Sequence, residues 1–113
     1  MQRILVVEDD PEQLAIRCQI LQHAGYDVAA AQSASEAIEK LPGCSVVVMD
    51  LRIPTVEDGV RLIDAVNRSA RIVVLSGGEP DQALPIDEFL GKPCSSKKLI
   101  EVIAKFAPLA PEA

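Results

Sequence analysis

The stretch ILVVEDD, residues 4–10, decides much of the fold. Four consecutive apolar residues are typical of a short strand that is buried on both faces, as in a parallel sheet. The run ends in three acids, and Pro11 then suits the first turn of a helix that Asp10 caps. The stretch therefore predicts a buried strand that delivers acidic side chains to its C-terminal end and leads into a helix.

Three later apolar runs also end in a residue with a reactive side chain. They are residues 46–50, ending in Asp50; residues 72–76, ending in Ser76; and residues 89–92, ending in Lys92. A less apolar strand is predicted at residues 26–31, and helical segments separate most of the strands. Strands that alternate with helices predict an α/β fold with right-handed crossovers and a parallel sheet covered on both faces.

The first helix should present an apolar stripe to the sheet. We expect Leu14, Cys18 and Leu21 to form this stripe, with Ile16 and Ile20 beside them. Gly25 suits the position just after the end of the helix, where a left-handed backbone is common.

The remaining helices are bounded by polar capping residues. Candidate N-caps are Ser33 or Ser35, Asp58, and Ser95 or Ser96. The segment from residue 77 to residue 88 is unusual, because it holds two glycines and two prolines. It has room for at most one helical turn, so the fourth crossover helix should be shortened or missing.

Composition excludes several classes of function. The net charge of −6 and the 3% aromatic content do not suit a nucleic-acid surface, which needs clustered Lys and Arg. No apolar run is long enough to span a membrane.

The three cysteines are odd in number and lack CxxC spacing, and no signal peptide precedes Ile4, so we expect reduced thiols in a cytoplasmic protein. His23, the only histidine, should be exposed near a helix end.

Five polar side chains should meet at one edge of the sheet, because parallel strands bring their carboxyl ends together there. They are Glu8, Asp9, Asp50, Ser76 and Lys92. Crowded carboxylates favour a hard cation with oxygen ligands, and Mg²⁺ also pairs with phosphate oxygens. Asp50 is then a candidate nucleophile that forms an aspartyl phosphate. Ser76 could donate a hydrogen bond to a phosphoryl oxygen and Lys92 could supply a positive charge.

Four segments together resemble the receiver (phosphoacceptor) domain of two-component response regulators, over residues 3–106. The segments are residues 4–10, 46–54, 73–76 and 89–93. The resemblance implies a flavodoxin-like, doubly wound, five-stranded parallel sheet of order 2-1-3-4-5. It also implies Mg²⁺-dependent transfer of a phosphoryl group from a sensor histidine kinase or a histidine phosphotransfer protein. The domain would be a signalling module that catalyses only its own phosphorylation and dephosphorylation.

The resemblance also assigns roles to single residues. Asp9 would bind Mg²⁺ directly and Glu8 through water, while the backbone carbonyl of Arg52 completes the protein ligands. Asp50 would both bind the metal and accept the phosphoryl group.

The other matched residues would act on the phosphoryl group and on the signal. Ser76 would be the switch hydroxyl, Lys92 the lysine that pairs with phosphate, and Phe89 the aromatic switch residue. Phe89 is equally well explained as part of the core.

Two of the departures of the sequence from the family pattern change the length of a segment. Pro54 lies four residues after Asp50 as expected, but Gly59 lies nine residues after it where the family has glycine at eight. The short segment 77–88 puts the usual output and dimerisation face in doubt, so we expect a non-standard output face, such as a mobile loop at residues 77–86.

We place the receiver domain at residues 1–107 and a tail or linker start at residues 108–113. A homodimer is possible, and the downstream target is unknown. One alternative is a receiver-like interaction module that works without phosphorylation. A flavodoxin-like cofactor binder is set aside, because the acids after the first strand would repel a phosphate that lacks a metal ion.

Overall fold

The computed structural model describes residues 2–78 and 84–109 of the chain. Strands and helices alternate as the sequence predicts. In chain order they are β1 (Arg3–Val7), α1 (Pro11–His23), β2 (Asp27–Ala31), α2 (Ala34–Lys40), β3 (Val46–Asp50), α3 (Val56–Val66), β4 (Arg71–Ser76), β5 (Glu88–Gly91) and α4 (Ser96–Phe106).

The five strands form one parallel sheet of order β2-β1-β3-β4-β5, which confirms the predicted topology. The strands at the centre, β1, β3 and β4, are the most apolar, and β3 is buried along its whole length. A central strand of a doubly wound sheet has helices above and below it, so neither of its faces can carry exposed polar side chains.

Side chains that alternate along each strand divide the core into two layers. Leu5 and Val7 of β1 lie in one layer with residues of α2 and α3. Ile4 and Val6 lie in the other layer with residues of α1 and α4. The helices therefore cover both faces of the sheet, as predicted for this fold class.

The connection between β4 and β5 lacks a crossover helix in its described part. Residues 77–78 and 84–87 are not helical, and residues 79–83 lie outside the described residues, as does part of the loop at residues 77–86 that we expected to be mobile. In place of a helix, Leu84 and Ile86 pack against the core layer of α2 and α3. The backbone N–H of Asp87 donates to the carbonyl of Ile72 (2.9 Å), which ties the returning chain to the start of β4.

Most predicted helix caps are confirmed. Asp10, Ser33 and Ser95 are N-caps whose side chains accept backbone N–H groups of the first turn. The prediction for α3 was wrong: Thr55 is the cap, and Asp58 lies in the first turn. The Asp58 N–H donates to Thr55 Oγ1 (3.2 Å), and that hydroxyl donates to the Asp58 carboxylate (2.8 Å). The Thr55 hydroxyl thus both caps the helix and bonds the side chain of Asp58, three residues on, a spacing that was readable in the sequence.

The buried stripe of α1 also differs from the prediction. Leu14 and Leu21 are buried as expected, but the residue between them on the buried face is Arg17. Cys18 is only partly buried, and Ile16 is 50% exposed. The apolar stripe is therefore interrupted by a charge, and an apolar side chain on the same helix faces solvent.

Two expectations for the end of α1 are confirmed. His23 is exposed at the end of α1, and Gly25 follows the helix with a φ of +107°.

The three cysteines are free thiols, and burial raises the pKa of Cys18 and Cys44 above that of an ordinary thiol. Within the described residues, no helix combines the length and the apolar character that crossing a membrane requires.

Candidate functional site

The strand register brings the predicted site residues to one edge of the sheet. Val7 of β1 lies opposite Met49 of β3, so Glu8 and Asp9 follow β1 at the level of Asp50 and beyond it. Asp50 in turn pairs with Leu75, which places Ser76 one residue further along β4. The acids and the hydroxyl thus come from three adjacent strands.

Asp50 is the centre of this arrangement. It is nearly buried, with 9% of its surface exposed. Lys92 Nζ donates to Oδ2 of Asp50, and the backbone N–H of Arg52 donates to Oδ1 (3.0 Å). A mostly buried carboxylate needs such partners, because burial of an unpaired charge is costly. The two contacts fix the orientation of the carboxylate and place a cation directly against it.

Ser76 lies on the strand between those that carry Asp50 and Lys92. Its backbone carbonyl accepts a hydrogen bond from the N–H of Lys92 (2.9 Å), which fixes the start of the loop after β5. Its Oγ accepts from the N–H of Gly78 (3.5 Å), and among the described residues no acceptor takes the hydroxyl proton. A Cβ built on the next residue, Gly77, would meet no described atom within 4 Å.

Glu8 is buried and both of its carboxylate oxygens are engaged. Arg17 Nη1 donates to Oε2 (2.5 Å), and the backbone N–H of Asp10 donates to Oε1 (3.3 Å). Sequence reasoning missed Arg17. The available signal was its position, because three residues after Leu14 and four before Leu21 is the spacing of one helix face.

The oxygen donors at this edge suit Mg²⁺. Asp9 is exposed, and its carboxylate forms no ion pair with a described residue. Over residues 2–78 and 84–109, no group of three or more His, Cys, Asp or Glu side chains is arranged to hold a metal. The Glu8 carboxylate forms an ion pair with Arg17. Mg²⁺ needs only one or two carboxylates and keeps several waters. Asp9, Asp50 and the carbonyl of Arg52 supply oxygen donors of the kind that this ion takes, and their role as ligands, like that of Glu8, stays a prediction.

Phe89 is half-buried on β5 and packs against the core layer of α2 and α3, as Leu84 and Ile86 do. This contact accounts for its presence as a core residue. Its role as an aromatic switch stays a prediction.

The family of this chain follows from comparison with known proteins. The model of the response regulator receiver domain matches residues 4–104, and the chain belongs to this family. The family is a signalling one, and its members are receivers of two-component systems.

Among curated proteins, the chain resembles a transcriptional regulatory protein CpxR homolog of Haemophilus influenzae, with 27% identity over 109 residues, 88% of this chain and 48% of that protein. It also resembles transcriptional regulatory protein CpxR of Escherichia coli K12, with 25% identity, 88% of this chain and 47% of that protein. The chain spans about half the length of these relatives.

Solved structures share the fold. A CheY-like receiver domain protein from Methanospirillum hungatei has a TM-score of 0.83 and 26% identity, covering 93% of this chain and 92% of that one. The chemotaxis protein CheY4 of Vibrio cholerae has a TM-score of 0.82 and 23% identity, covering 94% of this chain and 98% of that one. The second likeness concerns the fold alone.

Proposed function

We propose that this receiver accepts a phosphoryl group on Asp50 from a phosphohistidine of a sensor histidine kinase or a histidine phosphotransfer protein. The observation that carries the proposal is the contact between Lys92 Nζ and the buried Asp50 carboxylate, with Ser76 on the strand between them. A nucleophile, a cation and a hydroxyl donor from three strands are the groups that phosphoryl transfer needs.

In the transfer step, an Asp50 oxygen attacks the phosphorus atom and a new O–P bond forms. The P–N bond to the donor histidine breaks, its electron pair returns to the imidazole nitrogen, and the imidazole takes up a proton from water. Arg52 N–H holds one Asp50 oxygen while Lys92 moves from the other to a phosphoryl oxygen. The Ser76 hydroxyl donates a hydrogen bond to a second phosphoryl oxygen.

We further propose that Mg²⁺ is held by Asp9, Asp50 and the carbonyl of Arg52, with Glu8 acting through water. When bound, Mg²⁺ neutralises negative charge on the phosphoryl oxygens and on the carboxylates. The support is the chemistry of the donors, which are all oxygen atoms at the end of β1 and just after β3.

We propose that the donor protein docks on the groove between α1 and the loop after β5. This groove, of about 550 Å³, is lined by Ile16, Ile20, Pro93 and Leu99 and runs up to Lys92. Ile16 is the large apolar side chain of α1 that is half exposed. Lys92 lines the groove and contacts Asp50, so a donor protein seated on the groove would lie beside the acceptor carboxylate.

The signal would leave by a non-standard output face, with Ser76 and Phe89 as the switch residues, because no crossover helix occupies the described part of the β4–β5 connection. We place the end of the domain at residue 107, where Ala107 is buried and Pro108 is exposed. The tail at residues 108–113, the cytoplasmic location and a homodimer stay predictions.

Intact mass spectrometry tests the proposal directly. The parent chain is incubated with Mg²⁺ and acetyl phosphate, and Asp50→Asn is treated in parallel. We expect the mass of one phosphoryl group on the parent and none on the variant. No added mass on the parent, or equal addition to Asp50→Asn, would contradict the proposal and favour an interaction module that works without phosphorylation.

A further inference from the structure

We propose that Arg17 is a positioning residue that neutralises Glu8 and thereby sets the Mg²⁺ affinity of the acidic pocket. This inference rests on the proposed function, since it concerns the same pocket. Arg17 touches neither the predicted ligands nor the phosphoryl position, and it acts through Glu8, whose carboxylate it holds at 2.5 Å.

The Arg17–Glu8 ion pair differs from the other ion pairs of the described residues in its burial. The two side chains are only 9% and 5% exposed. Every other ion pair in the same part of the chain has at least one side chain that is a third or more exposed. Water and salt screen the exposed pairs, whereas the buried Arg17–Glu8 pair is screened much less.

Packing of α1 does not require a charge at position 17. Leu14 and Leu21 flank Arg17 on the buried face, and an apolar side chain would continue that face. Buried ion pairs can often be replaced by apolar residues without loss of stability, whereas removal of one partner alone is strongly destabilising. The charge of Arg17 is therefore explained by Glu8, which is buried at the end of β1 and needs a cation.

The ion pair also sets the charge that a cation meets in the pocket. Glu8, Asp9 and Asp50 carry three negative charges. Arg17 and Lys92 carry two positive charges, so the net charge of the pocket is −1. Without Arg17 the net charge would be −2, and a divalent cation would bind more tightly. Both Glu8 oxygens already accept hydrogen bonds from the protein, so Glu8 and Arg17 together add no net charge to the site.

A double-mutant cycle on the full chain measures this effect. Mg²⁺ affinity is determined by calorimetry for the parent, Glu8→Gln, Arg17→Met and the double variant. We expect Arg17→Met to bind Mg²⁺ about tenfold more tightly and Glu8→Gln about tenfold more weakly, since each changes one nearby charge. The double variant should bind like the parent, and Arg17→Lys, which keeps the charge, should also stay close to it.

Thermal unfolding with Mg²⁺ and with a chelator gives a second readout in case Arg17→Met folds poorly. We expect Mg²⁺ to raise the midpoint of Arg17→Met more than that of the parent, because the ion relieves the uncompensated Glu8 charge. An equal Mg²⁺ response in both proteins, or a double variant that binds Mg²⁺ at least about tenfold more weakly than the parent, would overturn the inference.

The two proposals fail in different ways. A parent that binds no Mg²⁺ contradicts the metal-dependent part of the proposed function. The inference then falls as well if Arg17→Met binds none, and it stands if Arg17→Met binds Mg²⁺ where the parent does not.

Discussion

Gly59 lies so close to Leu51 that a Cβ at position 59 would be 1.9 Å from the carbonyl oxygen of Leu51. This contact joins the first turn of α3 to the backbone directly after Asp50. It explains why glycine is needed at this position, although Gly59 lies nine residues after Asp50 and not eight as in the family pattern. Glycine is used here for close approach of two backbone segments, not for a left-handed turn.

Gly59→Ala should destabilise the fold by about 1–3 kcal/mol, because the added methyl group forces a backbone shift against Leu51. Urea unfolding followed by circular dichroism measures the loss. Gly91→Ala is the matched control, since a Cβ at Gly91 meets no atom within 4 Å. Equal midpoints for the two variants would contradict the close contact.

Lys92→Met should slow phosphorylation of Asp50 by acetyl phosphate by about 100-fold, since it removes the cation that faces the reacting oxygen. The rate is followed by intact mass at saturating Mg²⁺. Lys98→Met, at an exposed position of α4, should react like the parent. A Lys92→Met rate close to that of the parent would exclude Lys92 from the transfer step.

Ile16→Glu should abolish phosphorylation by a donor protein and spare phosphorylation by acetyl phosphate. The charge disrupts the apolar groove beside Lys92 but lies outside the acceptor chemistry. The assay uses a phosphorylated histidine kinase or phosphotransfer protein that labels the parent, and it compares initial rates of transfer.

Gln19→Glu is the control for Ile16→Glu, because Gln19 is exposed on the same helix and does not line the groove. If Ile16→Glu slows both donors equally, the substitution acts on the site or the fold. If it slows neither, the donor docks elsewhere.

Tyr26→Phe should lower the free energy of unfolding by about 1 kcal/mol. The Tyr26 hydroxyl donates to the buried carbonyl of Ala107 (2.8 Å) and ties the start of β2 to the end of α4. Burial raises the pKa of Tyr26 above its ordinary value of 10.0. The folded state therefore holds the phenol proton more tightly than the unfolded state does. This stabilisation is complete below the unfolded pKa and is lost as pH rises through the folded pKa.

Urea unfolding of both proteins at several alkaline pH values checks the Tyr26 prediction. The stability advantage of the parent over Tyr26→Phe should shrink above about pH 10, the ordinary pKa of tyrosine. Cys18 and Cys44 also titrate in this range, but they do so in both proteins and cancel in the difference. A difference that does not change with pH would mean that burial of the phenol does not matter.

The sequence by itself determined the strands and the edge at which the site lies, and the order of the strands came from its resemblance to the receiver family. Runs such as residues 46–50 are buried strands whatever surrounds them, because so apolar a run cannot face water. Parallel pairing then brings the ends of these strands to one edge, so Asp50 and Ser76 could be placed there from their positions alone.

Asp50 and Lys92 could be placed at the same edge from the sequence, but only the tertiary structure decided their direct contact and the pairing of Arg17 with Glu8. Arg17 lies on α1, and Glu8 follows β1 nine residues earlier. The spacing of Arg17 indicates the buried face of α1, whereas its partner depends on how the helix packs against the sheet, which no local pattern encodes. The sequence predicted an apolar stripe on α1, and packing instead buried an arginine there, because a buried glutamate on the neighbouring strand needed its charge.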